Sequence, residues 1–370
     1  MKKIILFLIL TLLMLNFNFL CVACNESEKQ IGEIKEDLFS ILSDDVKETL
    51  KSIGIEENSF ESLYKVSLDN ISSYFKNTLK ETVNNVSSEV ATLFSLVIII
   101  GFIAILIKDC NADYFEQLCT VVVSLYSVSI ATISLGSVIT VLKLSSGFMI
   151  SYIPIYTLVI SLSGNAATAF TYNSLVLFFA EAVSTVISSA MTDFMGIFFC
   201  FSIAFSMNSA INTSRFISSV NKIVTFVLGF LSSAFASFLS IRSVLSSSVD
   251  SVSARSIKFM ISSFIPVVGS SISDAYSSII GSINLIKGSV AVVGILAVII
   301  INLPVIIETL IYYLSFSVLS NISDGFICKG TGNVLKGFAS GIRILLLLCV
   351  FQMFVLVIST GIMLSFKGGN

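Results

Sequence analysis

Four charged side chains lie within or beside the apolar stretches of the sequence, Asp274 in a serine-rich segment, and they are the residues best placed to do chemistry. They are Glu181, Asp274, Lys287 and Glu308. A charge at the centre of a bilayer costs at least about 2.5–3.5 kcal/mol, so an intramembrane carboxylate often lines a pore or responds to protons. The alternative for Glu181 and Glu308 is an acid that pairs with a neighbouring helix and only fixes the packing. The sequence leaves both interpretations open.

Lys287 also has two interpretations. It follows Asp274 by thirteen residues, so the two charges can pair if the chain makes a re-entrant turn between them. The favoured interpretation is an anchor at the membrane boundary, because a lysine buries its alkyl stem in an apolar layer and keeps its ammonium in water.

The residue types disfavour an enzyme. The chain has no histidine, which removes the commonest general base and the commonest metal ligand. Its seven cysteines form one CxxC, Cys21 to Cys24, and no second doublet to complete a zinc site, and no phosphate-binding glycine loop with a lysine is present. We therefore expect no catalytic residues, no metal, no cofactor and no nucleic-acid partner. Chemistry by carboxylates within the membrane remains as a third alternative.

Composition sets the class of protein that must position these residues. Of 370 residues 55% are hydrophobic and 12% are charged, about half the charge of a soluble protein. In residues 288–303 the polar residues, Ser289 and Asn302, lie only at the ends. A helix without a polar face is one surrounded by lipid or buried. The sequence therefore predicts an all-α, polytopic integral membrane protein.

The apolar stretches predict about seven or eight spans, in two groups. The first group occupies residues 90–241 and the last occupies residues 288–370. Residues 242–287 lie between them and contain an amphipathic pattern, which predicts a helix in the membrane interface followed by a re-entrant segment. The predicted spans are 90–107, 118–142, 148–163, 170–191, 194–210, 223–241, 288–313 and 344–364.

The first 24 residues read as a signal peptide. Lys2 and Lys3 precede an apolar stretch at 4–20, and small residues near Cys24 offer a cleavage site. Lipid attachment at Cys24 is a weaker alternative, and an uncleaved first span is another.

Residues 25–89 form a different kind of segment. They hold 14 of the 23 acidic residues and 7 basic ones, and two helical patterns are separated at Gly54. No stop signal precedes Val90, so the second pattern is expected to continue into the first span. We expect a small extracytoplasmic helical region.

Lysine and arginine in short loops predict the orientation of the first span, with Lys108 in the cytoplasm. Counting onward keeps most later cations inside. The three cations Arg242, Arg255 and Lys258 then fall outside, against the rule, and an interfacial helix softens that conflict. The cations expected inside are Arg215, Lys222, Lys329, Lys336 and Arg343.

Glycines in and near the predicted spans suggest surfaces where helices pack closely. Gly337 and Gly341 form a GxxxG motif before the last span, and other small residues include Gly281, Gly288 and Gly294. Such surfaces let helices approach closely, either in a homo-oligomer or within one chain.

Residues 248–302 resemble the central block of the stage III sporulation protein AE family of endospore-forming Firmicutes. Arg255 and Lys258 fit its Arg-x-x-Lys-Phe, and residues 264–269, with Pro266 and Gly269, fit its Phe-Ile-Pro-Val-Val-Gly turn. Asp274 and Lys287 match further family positions. A second patch runs from Pro154 through Ser163-Gly164 to Phe178, with Asn165 in place of a family glycine.

The resemblance implies a role and no reaction. It implies a membrane-embedded component of a channel or secretion-like complex that links mother cell and forespore and is required for spore development. The implied partners are the other stage III sporulation AA to AH proteins and, indirectly, stage II sporulation protein Q. The implied location is the mother-cell membrane around the forespore. A permease-like transporter that uses intramembrane carboxylates is the alternative.

Overall fold

A computed structural model describes residues 34, 36–55, 68–106, 112–186, 192–207, 213–264, 269–325 and 329–365. The predicted signal peptide at 1–24 lies outside these residues. Within them every regular element is a helix, which confirms the all-α class. The helices are α1 Asp44–Ile53, α2 Leu68–Leu106, α3 Ala112–Leu162, α4 Ala166–Val186, α5 Thr192–Ser206, α6 Thr213–Phe264, α7 Gly269–Gly325 and α8 Lys329–Ser365.

Five of the described helices are long and apolar enough to cross a membrane, namely α2, α3, α6, α7 and α8. The apolar stretches Ala166–Phe178 in α4 and Asp193–Ser206 in α5 are shorter. The polytopic membrane class is therefore confirmed, with fewer and longer helices than the seven or eight predicted spans.

The predicted spans 118–142 and 148–163 form one helix, α3, which is 51 residues long. The polar residues at 143–147 led to the prediction of a loop between these spans. Ser145 and Ser146 instead accept hydrogen bonds from Asn302 of α7 at 2.6 Å and from Gln352 of α8 at 3.0 Å. Because these hydroxyls have partners inside the bundle, the helix continues through them for about 77 Å, well beyond a hydrocarbon core of about 30 Å.

The segment 242–287 is not a separate element. Its first part continues α6, which has 52 residues, and its second part belongs to α7, which has 57. Residues 242–262 contain neither glycine nor proline, so nothing in the backbone ends the helix at the end of the predicted sixth span. The predicted boundary at 242 falls inside α6, and no turn occurs within residues 269–287 because they lie in α7. The interfacial position of residues 242–264 stays a prediction.

Contacts along the helices show their directions. From one end of α3 to the other, Tyr152, Ser145 and Ser137 bond to Val290, Asn302 and Glu308 of α7, so α3 and α7 are antiparallel. Thr120 and Ser146 contact Thr331 and Gln352 of α8, so α3 and α8 are parallel. We call the end at which α3, α6 and α8 begin the lower end, and the opposite one the upper end.

The two short helices together make one pass. In α4, Tyr172 contacts Thr360 near the upper end of α8 at 3.4 Å. In α5, Phe199 and Ser202 lie against Gly341 and Gly337 near the lower end of α8. Within the described residues the chain therefore runs along the bundle six times, in α2, α3, α4 with α5, α6, α7 and α8, alternating in direction.

The N-terminal region packs against the upper half of the bundle. Gly54, with φ of +98°, ends α1 in the left-handed conformation that glycine adopts without strain. Leu50 and Ile53 of α1 are buried in the same core as Phe148 and Val298. Helix α2 runs without a break from Leu68 to Leu106, which confirms that the second acidic pattern continues into the first span.

Candidate functional site

The residues singled out by the sequence lie apart in the bundle. Glu181 lies in α4 and Asp274 in α7, and the side chains of both are outside the described residues. Pro266 is also outside them, and Gly269 is the first residue of α7. Arg255 is exposed near the upper end of α6. Their roles stay predictions, and the described candidates are Lys287 and Glu308.

Asp250 joins α6 to the start of α4 at the upper end. It is 5% exposed, and its two carboxylate oxygens accept hydrogen bonds from the backbone N–H groups of Ala167 at 2.9 Å and Thr168 at 3.0 Å. The first turn of a helix leaves its N–H groups unpaired and carries partial positive charge. Asp250 therefore caps α4 from another helix.

The turn before α4 positions those N–H groups. Gly164 has φ of +83°, and Asn165 donates to the backbone oxygen of Ser163 at 3.1 Å. Thr171, one turn into α4, shares a 2.7 Å hydrogen bond with Ser246 of α6. The predicted break at Gly164-Asn165 is confirmed. The turn there places the first N–H groups of α4 within hydrogen-bond distance of Asp250.

Lys287 of α7 lies near this cap, and we call Asp250, the start of α4 and Lys287 the upper joint. Lys287 is 2% exposed and lies within electrostatic range of Asp250. Since α7 is continuous, Asp274 lies about 20 Å from Lys287 along its axis, and the predicted pairing of those two residues through a re-entrant turn is wrong. Lys287 is buried among the helices, and its role as an anchor at the membrane boundary stays a prediction.

Asp250 was not among the residues singled out, although the sequence carries a signal for it. It is the sole acidic residue between positions 194 and 273. A lone acid in a long helix whose other charges are all cations is a candidate for a tertiary partner, and Lys287 lies in electrostatic range of it in the next helix. The pairing depends on the packing of α4, α6 and α7, which no local pattern shows.

Glu308 faces a second polar cluster lower in the bundle. Ser137 of α3 donates to its Oε1 at 3.1 Å. Close by, Tyr312 of α7 donates to Oε2 of Glu89 in α2 at 3.2 Å, and Tyr126 of α3 donates to the backbone oxygen of Glu89 at 3.3 Å. Two carboxylates from different helices, linked to hydroxyls, form a cluster that can take up a proton or a cation.

Between the two charged clusters, amide side chains tie α3 to its neighbours. Asn302 of α7 and Gln352 of α8 are buried, and their amides donate to Ser145 and Ser146. Gln352 also donates to the backbone oxygen of Leu142 at 3.0 Å. Hydrogen bonds of this kind fix the register of helices that only van der Waals contacts would otherwise hold.

The GxxxG motif packs inside the chain. A Cβ placed on Gly341 would overlap the ring of Phe199, and one on Gly337 would lie 2.6 Å from the Cβ of Ser202. Both neighbours belong to α5. Gly294 is equally close to the ring of Tyr152 in α3. The close approach that the glycines predicted is thus made between helices of one chain, and the face of Gly337 and Gly341 is covered by α5.

Serine hydroxyls mostly bond to backbone oxygens one turn earlier, as abundant serines in membrane helices can do without lining a water-filled path. Examples are Ser124, Ser202, Ser206, Ser219, Ser232, Ser248 and Ser256. The described residues contain no group of three or more histidine, cysteine, aspartate or glutamate side chains that could hold a metal ion.

An all-α bundle of long apolar helices, with charged and amide groups paired between the helices, defines the protein as a polytopic membrane protein. The profile of the family named stage III sporulation protein AE matches residues 25–366, and the chain belongs to that family. Stage III sporulation protein AE of Bacillus subtilis (strain 168) is 22% identical over 184 residues, which are 49% of this chain and 46% of that protein. The matched segment thus spans about half of that relative. No solved structure matches the chain.

Proposed function

We propose that this chain is a membrane-embedded structural component of a channel or secretion-like complex that links mother cell and forespore and is required for spore development. Family membership over residues 25–366 gives it a role in sporulation. The observation that carries the structural part is that Asp250 and Glu308 are hydrogen-bonded to groups on neighbouring helices. The family is not known as one of enzymes, and a non-catalytic role is part of the proposal.

The proposed location is the mother-cell membrane around the forespore, with the lower end of the bundle in the mother-cell cytoplasm. The distribution of cations supports this orientation, because short cytoplasmic loops are rich in lysine and arginine. The lower end carries Arg215, Lys222, Lys329, Lys336 and Arg343. The acidic N-terminal region, packed at the upper half, then faces the space between the two membranes.

The proposed partners are the other stage III sporulation AA to AH proteins and, indirectly, stage II sporulation protein Q. A strain without the native protein, complemented with this chain, tests the assignment. Heat-resistant spores and co-purification with those partners are expected, and both require the upper joint. Normal spore numbers without the chain, or its purification free of every proposed partner from sporulating cells, would refute the proposal.

A permease-like transporter is a second candidate, favoured by the two carboxylates Glu89 and Glu308. If they carry protons or ions, Glu89→Gln and Glu308→Gln assemble normally yet block spore development. Under the structural proposal both variants make spores whenever they assemble. Glu81→Gln, an exposed carboxylate on α2, is the matched control, and co-purification with partners reports assembly in each strain.

A further inference from the structure

The lower end of the bundle contains a cleft between α6 and α8 with a volume of about 620 Å³. Three cations line it, Lys222 from α6 and Lys336 and Arg343 from α8. Lys336 is paired with Asp324 at 2.6 Å. Three cations less one carboxylate leave a net charge of +2, and among the described residues Lys222 and Arg343 have no salt bridge.

The cleft also offers neutral polar groups. Asn221 and Ser340 line it beside the cations, and the side-chain oxygen of Asn221 is buried without a hydrogen-bond partner among the described residues. A buried acceptor without a donor costs free energy. A ligand that combines a phosphate with a hydroxyl donor would neutralise the cations and satisfy this oxygen.

One wall of the cleft continues as an apolar surface. Phe226 lines the cleft and is 72% exposed, and Ile223 and Phe230 on the same helix are more than 60% exposed. The outward face of α6 thus changes from polar to apolar within one turn of Lys222. A ligand in the cleft can place its charged head against the cations and an acyl chain against these side chains.

We infer that this cleft binds the headgroup of an anionic phospholipid of the phosphatidylglycerol class. Basic pockets between transmembrane helices on the cytoplasmic side bind anionic lipid headgroups. The inference goes beyond the proposed function and takes from it only the cytoplasmic placement of the lower end, whereas the binding test below uses the purified chain and does not depend on that placement. Lys222 and Arg343 contact the phosphate, Asn221 accepts from a glycerol hydroxyl, and the acyl chains lie along α6.

Native mass spectrometry of the detergent-purified full chain, titrated with dioleoylphosphatidylglycerol, tests the site. The double variant Lys222→Gln/Arg343→Gln is expected to weaken binding roughly 30-fold, because each cation near an anionic lipid surface contributes about fivefold. The matched control is Arg242→Gln/Arg255→Gln, which removes two exposed cations from the upper part of α6 and keeps wild-type affinity.

Three results would overturn the inference. Equal weakening in both double variants would show general charge attraction, and unchanged binding in Lys222→Gln/Arg343→Gln would place the lipid elsewhere. Displacement of the lipid by soluble glycerol 3-phosphate at equal concentration would assign the cleft to a soluble phosphate ester. Zwitterionic dioleoylphosphatidylcholine should bind more weakly than phosphatidylglycerol, and Lys222→Arg/Arg343→Lys should restore affinity, which shows that folding is intact.

Discussion

At the scale of single residues, the buried charges act as connectors. Asp250 is bonded to two backbone N–H groups of α4 and lies in electrostatic range of Lys287 in α7. Three helices therefore depend on one carboxylate. Removing one partner of a buried pair leaves the other charge uncompensated, which costs more than the pair itself contributes.

Asp250→Ala is expected to destabilise the protein by about 3–5 kcal/mol, because it removes the acceptor of the first turn of α4 and the negative charge in electrostatic range of Lys287. The thermal unfolding of the detergent-purified chain measures it. Asp45→Ala, at an exposed position of α1, should leave the melting temperature unchanged. In a double-mutant cycle with Lys287→Met, the double variant should lose less than the sum of the single ones. Additive losses would disprove the coupling.

Gly294 makes a second prediction at this scale. A methyl group there would overlap the ring of Tyr152, so Gly294→Ala should cost about 1–3 kcal/mol through overpacking. Gly281→Ala, in the same helix, adds its methyl to open space and should be neutral in the same melting experiment. Combining Gly294→Ala with Tyr152→Leu should restore part of the loss. Failure of that rescue would mean that Tyr152 is not the obstacle.

At the scale of elements, the short helices α4 and α5 together cross the bundle once, and a different kind of contact fixes the position of each. Asp250 caps the start of α4, whereas Gly337 and Gly341 let α5 lie directly on α8. Stacked rings of Phe199 and Phe338, 4.8 Å apart, fill the space beside the glycines. The GxxxG motif is thus an intramolecular seam.

Gly341→Ala should lower the melting temperature, by about 1–3 kcal/mol in stability, without changing the oligomeric state. Thermal unfolding and light scattering after size-exclusion chromatography measure the two quantities. Gly229→Ala, on α6 with open space around it, is the control. A variant that melts normally but dissociates into smaller particles would instead assign the motif to an interface between copies.

Much of this architecture follows from local sequence patterns, and the remainder depends on contacts between residues that are far apart in the sequence. The apolar runs predict the class, and Gly54 and Gly164 predict their turns because both adopt positive φ. The break expected after Lys143 does not occur, since Ser145 and Ser146 find partners on α7 and α8. Likewise, tertiary packing brings Lys287 into electrostatic range of Asp250, which is 37 positions away in sequence. Neither hydropathy nor periodicity predicts that two residues so far apart in sequence lie close in space.

At the scale of the whole molecule, merging predicted spans changes which side of the membrane each turn occupies. Eight spans place Gly164-Asn165 in the cytoplasm, whereas a single α3 carries that turn to the upper end, beside Asp250. Later cations keep their side, because α4 and α5 also merge into one pass. The two arrangements therefore differ at the turn between α3 and α4.

Cysteine labelling separates these arrangements. In non-sporulating cells, where the upper end faces the medium, a chain whose seven native cysteines are replaced by serine and that carries Ala166→Cys should react with a membrane-impermeant maleimide from outside intact cells. Ala166 is exposed, so its accessibility depends only on the side. Ser218→Cys, at the lower end, should react only after the cells are opened. Labelling of Ala166→Cys only in opened cells would favour the eight-span arrangement.

Helix α6 runs for 52 residues without a proline, with Lys222 near one end and Asp250 near the other. The two residues are separated by about 42 Å along the axis, so a swing of only about 5° about the lower pivot carries Asp250 sideways by about 4 Å. That travel exceeds the reach of the two hydrogen bonds that hold the start of α4. The cap on α4 therefore holds only while the tilt of α6 stays within a few degrees of the angle seen here.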